Sequence, residues 1–414
     1  MNTRRVVVTG LGAVTPLGND MPTTWQALLT AQSGVAPITR FKHDDFPVHV
    51  ACEVRNFDPT VAIDAKEVRR TDTYEQFAMV AAQEAMQHSG LKVTEDNADQ
   101  VGVVIGSSVG GINSIINSQA VLEKHGSRRV NVYCIPMVMS NGAAGMVAIR
   151  WGAQGPSYSP ASACATSNDA VGQAFQLIKR GAANAMITGG SDATVVKLGM
   201  AGFDQLTALS HDNTLPSTSP RPFDKHRDGL VVGEGACVLI LEELEFAQAR
   251  GANILAEICG YGQTNDAHHV VAPSEGGAGA ARAIRKALAE SGLATTDIQY
   301  VNAHGTATPL NDISETAAIK QVFGEHAYKL AVSSTKSMTG HMMGATGSLE
   351  SAVCVRAIME SIVPPTRNLQ EPDPLCDLDY VPGVARRMRV DAAMNNSFGF
   401  GGHNSVLIYK RFIA

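Results

Sequence analysis

Ser89-Gly90-Leu91 closes a helical pattern, an acidic linker follows, and Val101-Gly102-Val103-Val104-Ile105-Gly106 then reads as a strand ending in the turn Gly106-Ser107-Ser108. The same succession returns later: Ser291-Gly292-Leu293, a linker holding Asp297, a strand from Tyr300, and the turn His304-Gly305-Thr306. Similar tripeptides recur by chance, but an ordered run of helix, linker, strand and turn is harder to obtain that way. The offset is close to half of the 414 residues. Self-similarity of this kind constrains a fold before any single element does. Each half also opens on a similar strand and glycine turn, Val8-Thr9-Gly10-Leu11-Gly12 and Ile258-Cys259-Gly260-Tyr261-Gly262. The polar stretch Ala249-Arg250-Gly251-Ala252-Asn253 is the expected seam, giving halves at 1–252 and 253–414.

Within each half, short apolar runs end in Gly, Ser or Thr: Val6-Val7-Val8, Ala185-Met186-Ile187, Leu330-Ala331-Val332 and Ala393-Met394. Such nearly continuous runs suit strands buried on both faces. Helical patterns lie between them. Thr73-Tyr74-Glu75-Gln76 reads as a capping box, with Phe77, Val80, Ala81 and Ala85 following at helical spacing up to Gly90. Ala281, Ile284 and Leu288 run to a stop at Gly292, and Asp312 is expected to cap a helix from Ser314 to Phe323. Alternating strands and helices imply an α/β fold. Two pseudo-symmetric halves would place ligands between them, at the C-terminal ends of strands.

Hydrophobic residues make up 44% and charged residues 17%, enough for a sizeable core. A formal charge of −6 argues against general nucleic-acid binding. Seven cysteines with no C-x-x-C pair make neither a disulfide framework nor a zinc site. Free thiols suit a reducing compartment. The run Met1 to Val8 enters an apolar strand directly, without a signal-peptide pattern, and no apolar run is long enough to span a bilayer. The expectation is a cytoplasmic protein with no membrane partner.

Three remote segments present reactive side chains on small-residue turns: Ser162-Ala163-Cys164-Ala165, Asn302-Ala303-His304-Gly305-Thr306, and Gly340-His341-Met342-Met343-Gly344. A thiol with two imidazoles suits acyl transfer through a thioester. Cys164 precedes a helical pattern with Val171, Phe175 and Ile178 on one side, so a helix dipole is expected to favour its thiolate. His341 precedes another helix, where a neutral ring is favoured and can donate to oxyanion charge. Lys336 lies five residues earlier and would push the same way. Glu350 reads either as a solvated helix face or as a buried acid, bonded to a lysine or ligating a cation. The Gly-rich tail Asn395-Asn396-Ser397-Phe398-Gly399-Phe400-Gly401-Gly402 offers backbone donors and a movable aromatic gate. Val109 and Phe400 are expected to shape an acyl pocket. Gly10-Leu11-Gly12 matches a dinucleotide fingerprint poorly, since Thr15 holds the third glycine position. Gly106-Ser107-Ser108-Val109-Gly110 does fit a nucleophile elbow, so a serine hydrolase using Ser108 is an alternative, although no H-G-G-G motif accompanies it.

Taken together, Ser162-Ala163-Cys164-Ala165-Thr166, Asn302-Ala303-His304-Gly305-Thr306, Ser333-Ser334-Thr335-Lys336-Ser337, Gly340-His341 and Asn396-Ser397-Phe398-Gly399-Phe400-Gly401-Gly402 resemble the elongating beta-ketoacyl-acyl carrier protein synthases. These are the type II condensing enzymes of fatty-acid synthesis. The resemblance covers essentially the whole chain. It implies a duplicated thiolase-like fold with α-β-α-β-α layers, a homodimer, and decarboxylative condensation of acyl-enzyme with malonyl carrier protein. Cys164 would carry the acyl group, His304 and His341 would assist decarboxylation, and Lys336 would orient His341, with Glu350 beside it. The backbone N–H groups of Cys164 and Phe400 would form the oxyanion hole. Thr306 and Thr308 would contact the pantetheine arm, and Phe398 would line the malonyl pocket. No cofactor is implied beyond a structural Na+ or K+ surrounded by Asn302, Ala303, Glu350, Asn395 and Asn396. The second histidine resembles the Cys-His-His elongating enzymes. The stretch Ala165-Thr166-Ser167-Asn168-Asp169 departs from the glycine commonly found after the threonine, and Asp169 is expected to add negative charge near the nucleophile. Lys66, Arg69 and Arg70, with Arg128 and Arg129, are the basic clusters expected to meet an acidic carrier protein. Acyl length, and a fatty-acid as against a polyketide-type pathway, are left open.

Overall fold

The structure, a computed structural model, describes residues 4–213 and 218–413. Its main sheet contains β1 Val6–Val14, β2 Val101–Gly106, β3 Ser157–Tyr158, β4 Ala185–Asp192, β5 Gly235–Glu243, β6 Ala256–Asn265, β7 Tyr300–Asn302, β8 Ala331–Ser333, β9 Ala392–Gly399 and β10 His403–Lys410. Across the sheet the order is β8-β7-β9-β10-β6-β1-β5-β4-β2-β3. From its outer edge to the centre, each half therefore runs third, second, fourth, fifth, first strand. The outer three strands of each half pair parallel and the inner pairs are antiparallel. The halves join where Val6–Val8 of β1 pairs with Ala256–Ile258 of β6. The duplication expected from sequence is thus present strand for strand.

The layers are completed by α1 Thr73–Ser89, α2 Thr166–Lys179, α3 Ala278–Ser291, α4 Pro309–Phe323 and α5 Thr346–Glu360. Helix α1 packs on β1 and β5, and α3 on β6 and β10, each covering the outer face of its own half. Helices α2 and α5 pack on one another and touch strands of both halves, so they form a shared middle layer. The resulting order is the expected α-β-α-β-α. Along β5, Cys237, Leu239 and Leu241 enter the middle core with Phe175 and Leu349, while Ala236, Val238 and Ile240 enter the core under α1 with Phe77. Alternation with period two into two apolar layers is why these strands read as unbroken apolar runs.

The glycine pairs that opened each half are not turns. They lie inside β1 and β6. A Cβ on Gly10 or Gly12 would run into the carbonyl oxygens of Ala85 and Ala81 on α1, and Gly260 and Gly262 meet Ala287 and Ala283 on α3 in the same way. A strand without side chains at these points lets the outer helix rest on its backbone. That close approach is the physical reason the pattern recurs. Two helix starts also differ from expectation. The capping box of α1 pairs Asp72 with Glu75, one residue ahead of the Thr73 reading, while Gly90 ends the helix at φ 63° as expected. Helix α4 starts at Pro309 rather than Ser314. Proline is well placed there because its missing N–H would have no helical partner. Asp312 lies in the first turn instead of capping, and accepts from the Phe223 N–H at 2.8 Å. Among the described residues, no helix is long and apolar enough to cross a membrane.

Candidate active site

Cys164 stands just before α2, His304 just after β7, and His341 shortly before α5. All three line one cavity of about 390 Å3, with Thr306, Thr308, Phe398 and Phe400. Their turns are held in unusual backbone conformations. Ala163 beside Cys164 has φ 51°, Ala307 beside Thr306 has φ 65°, and Met343 near His341 has φ 48°. Left-handed conformations at non-glycine residues cost about 1–3 kcal/mol each and cluster where geometry is functional. Gly399 closes the assembly: a Cβ there would stand 2.6 Å from Ser162 O and 3.0 Å from Cys164 N. The glycine-rich tail therefore lies directly against the nucleophile turn.

Burial works against the expected thiolate. Burial pushes the Cys164 thiol up to about 11, against the downward pull of Lys336 and of the backbone groups of Phe400 and Cys164. Desolvation of an anion outweighs one nearby cation here. A thiol in that range is only about 0.01% ionised at neutral pH. The carboxylate that opposes ionisation is Asp192. Asp169, expected to add charge there, accepts from Ser162 Oγ at 2.5 Å, Tyr261 OH at 2.8 Å and Gln263 Nε2 at 2.9 Å. Asp192 is buried and accepts from Ser107 Oγ and Ser108 Oγ, both at 2.6 Å, and from Gly344 N at 2.7 Å. That bond accounts for the apparent nucleophile elbow. Ser108 is held by a carboxylate, and no imidazole bonds to it among the described residues. Val109 is 42% exposed and does not line this cavity.

The rings of His304 and His341 lie edge to face, 5.5 Å apart, and Phe398 approaches His304 at 5.6 Å. Burial first, and Lys336 second, hold both imidazoles well below the usual range. Each is therefore neutral at physiological pH, with one donor and one acceptor nitrogen. His304 and Gly305 present their N–H groups to Glu315 on α4, at 2.9 and 2.8 Å. Asn396 Nδ2 reaches the same carboxylate at 3.0 Å. Sequence reading missed Glu315; the available signal was an acid on the helix directly after the His304 turn. Lys336 bonds Glu350 Oε1 at 2.5 Å, with both side chains buried. The buried-acid reading of Glu350 holds and the solvated one does not. Lys336 thus acts on the imidazoles through its charge, while the ring partner of His341 is Thr346, with Nδ1 to Oγ1 at 3.0 Å. Burial raises Glu350 to about 7 despite the pull of Lys336.

Asn302 Oδ1, Asn395 Oδ1, Asn396 Oδ1 and Glu350 Oε2 are buried without hydrogen-bond partners among the described residues. Uncompensated buried oxygens are expensive, and a hard cation would satisfy them. Thr306 and Thr308 bring their hydroxyls within 2.9 Å of each other. Lys66, Arg69, Arg70, Arg128 and Arg129 are all exposed and do not line the cavity. The two basic segments do adjoin: Asn131 Nδ2 bonds Arg69 O at 3.4 Å, and the Arg70 guanidinium lies 4.9 Å over the Tyr133 ring.

The profile of the beta-ketoacyl synthase N-terminal domain matches residues 3–247, and that of the C-terminal domain matches residues 255–370. The chain belongs to the beta-ketoacyl synthase family. This beta-ketoacyl synthase is 50% identical, over 409 residues, to the 3-oxoacyl-acyl-carrier-protein synthase 2 of Synechocystis sp., spanning 99% of this chain and 98% of that protein. The protein of the same name from Staphylococcus aureus strain COL is 47% identical over 99% of each chain. A beta-ketoacyl synthase structure from Burkholderia phymatum matches with TM-score 0.92 at 36% identity, covering 99% of this chain and 100% of that one. A type II PKS acyl-carrier protein in complex with its ketosynthase matches at TM-score 0.92 and 33% identity, covering all of both chains.

Proposed function

We propose that this beta-ketoacyl synthase condenses an acyl group held on Cys164 with a malonyl group held on acyl carrier protein. Carbon dioxide is lost and 3-oxoacyl-acyl carrier protein forms, as in the elongation step of fatty-acid biosynthesis. The observation that carries this reading is one thiol and two neutral imidazoles in a single cavity. The near-50% identity to 3-oxoacyl-acyl-carrier-protein synthases 2 favours fatty-acid elongation over the polyketide role of the 33% identical neighbour.

The chemistry follows from the site. Cys164 Sγ attacks the thioester of an acyl carrier protein and loses its proton as the S–C bond forms, because little standing thiolate is present. The carrier's thiol leaves with a proton. The backbone N–H groups of Cys164 and Phe400 hold the oxyanion. A malonyl arm then enters past Thr306 and Thr308, with Phe398 against the malonyl group. Breaking the bond to the carboxylate leaves its electron pair as an enolate, whose oxygen receives the N–H groups of His304 and His341. The enolate carbon attacks the Cys164 thioester, the S–C bond breaks, and the sulfur is reprotonated. His304→Ala should keep self-acylation yet lose malonyl decarboxylation by about 100-fold or more. Radiolabelled carbon dioxide release measures this, and normal release would remove the role given to His304.

No cofactor takes part in these steps. The unpartnered oxygens of Asn302, Asn395, Asn396 and Glu350 are the candidate ligands of a Na+ or K+ ion, and the family resemblance adds the carbonyl of Ala303. The donor set is amide oxygen with one carboxylate, which suits a hard monovalent cation. Since burial raises the Glu350 carboxyl to about 7, the ion should raise Tm more at pH 8 than at pH 6. Equal shifts with choline chloride at both pH values would reject the site. The adjoining basic segments are the reading for carrier-protein docking. Reversing charge at Arg69 and Arg70 should raise KM for acyl carrier protein several-fold, with little change for acyl-pantetheine. An unchanged KM removes the assignment. The chain is read as a homodimer in the cytoplasm. Supporting the dimer, β3 is the outer strand of its half, its residue Tyr158 is exposed, and Val132, Ile135 and Ile149 are exposed apolar residues. A light-scattering mass near one 43.6 kDa chain would count against it.

A further inference from the structure

Helices α2 and α5 occupy corresponding places in the two halves, and each begins with a threonine, Thr166 and Thr346. The two hydroxyls are used differently. Thr166 Oγ1 donates to Ala163 O at 2.7 Å and accepts from Ser162 N at 2.9 Å, the ordinary backbone satisfaction of a helix start. Thr346 Oγ1 has no backbone partner among the described residues. Its one hydrogen-bond partner there is His341 Nδ1, at 3.0 Å. Both residues are buried, at 2% and 1% exposure. On the far side of the ring, His341 Nε2 is buried and has no partner among the described residues.

This bond can be polarised in two ways, and the two differ in cost. If Nδ1–H donates to Thr346, the hydroxyl hydrogen is buried without an acceptor, and Nε2 becomes a buried lone pair. If the hydroxyl donates to Nδ1, Thr346 is satisfied and only Nε2–H remains free. A buried unsatisfied polar group costs about 1–3 kcal/mol, so the second arrangement is preferred. We infer that Thr346 is a positioning residue that sets the tautomer of His341: its hydroxyl donates to Nδ1, which places the proton on Nε2 as a hydrogen-bond donor for the substrate. The inference rests on the condensing reading above, and it supplies what that reading requires, a neutral imidazole with its N–H available. In the other tautomer, Nε2 would present a lone pair to the enolate oxygen and repel it.

The first test is made on the wild-type enzyme. Histidine-selective 15N labelling and solid-state NMR, with the His341 signals assigned by their loss in His341→Ala, should show Nε2 protonated and Nδ1 unprotonated at pH 7.5. The reverse assignment overturns the inference whatever the activity. The second test compares Thr346→Val, which keeps shape and loses the donor, with Thr346→Ser, which keeps the donor. Thr346→Val should slow malonyl decarboxylation by about 10- to 100-fold while slowing Cys164 acylation far less, and should show a mixed His341 tautomer. Thr346→Ser should recover most of the loss. Equal slowing of both partial reactions, or no recovery in Thr346→Ser, would assign Thr346 to packing alone and overturn the inference. Wild-type enzyme that fails to decarboxylate malonyl carrier protein would sink the parent reading instead, and the tautomer result would stand by itself.

Discussion

Cys164→Ala abolishes the acyl adduct. Intact-mass measurement after incubation with an acyl carrier protein thioester should show one acyl group on the wild-type chain and none on the variant, with condensation falling by about 10^4 or more. An adduct that survives in Cys164→Ala, on Ser108 for example, would falsify the assignment of the nucleophile. The same sulfur makes a pH prediction. Because its thiol is pushed up to about 11, alkylation by iodoacetamide should rise about tenfold per pH unit from 7 to 9 without levelling off. A plateau near pH 7 would show a standing thiolate and return the site to the helix-dipole expectation. A rise without a plateau would mean that the enzyme does not store a charged nucleophile but makes one during the attack, when the oxyanion-hole N–H groups have an oxygen to meet.

Lys336→Met is the most damaging single change expected for stability. Lys336 and Glu350 form a pair in which neither side chain exceeds 2% exposure. Removing one partner of a buried pair costs about 3–5 kcal/mol, because the other charge is stranded away from water. Urea unfolding should show that loss, and it should be larger at pH 8 than at pH 6. The sign follows from linkage. Glu350 already has a raised folded-state pKa, about 7, and without Lys336 it rises further. The native state then binds more protons than the unfolded state, so its stability falls as pH increases. Adding Glu350→Gln should restore a substantial part of the loss. A Lys336→Met protein within about 1 kcal/mol of wild type at both pH values would mean the pair is not isolated from water.

What sequence revealed and what it hid divide along physical lines. The duplication was legible because doubly buried strands and helix-ending glycines leave local marks at Val101–Gly106, Gly90 and Gly292. Cys164, His304 and His341 were legible because reactive residues on small-residue turns stand out within their own segments. Gly10 and Gly12 were misread as a turn, because their glycine requirement comes from Ala85 and Ala81, more than 60 residues away. The pull of burial on the Cys164 thiol was not legible for the same reason. Helix position is written locally, whereas burial and the opposition of Asp192 arise only when β4 closes on the His341 turn. Asp312 failed as a cap because Pro309 starts the helix earlier, a signal the sequence did contain.

The narrow seam between the halves has a consequence for rebuilding this enzyme. Three residue pairs of β1 and β6 are a thin join, and the two central helices each lean on strands from both sides. Grafting one half from a relative would therefore succeed or fail on whether the donor's central helix interlocks with its new neighbour, largely independent of the hinge sequence chosen. Recombination libraries should treat α2 and α5 as a single inherited block.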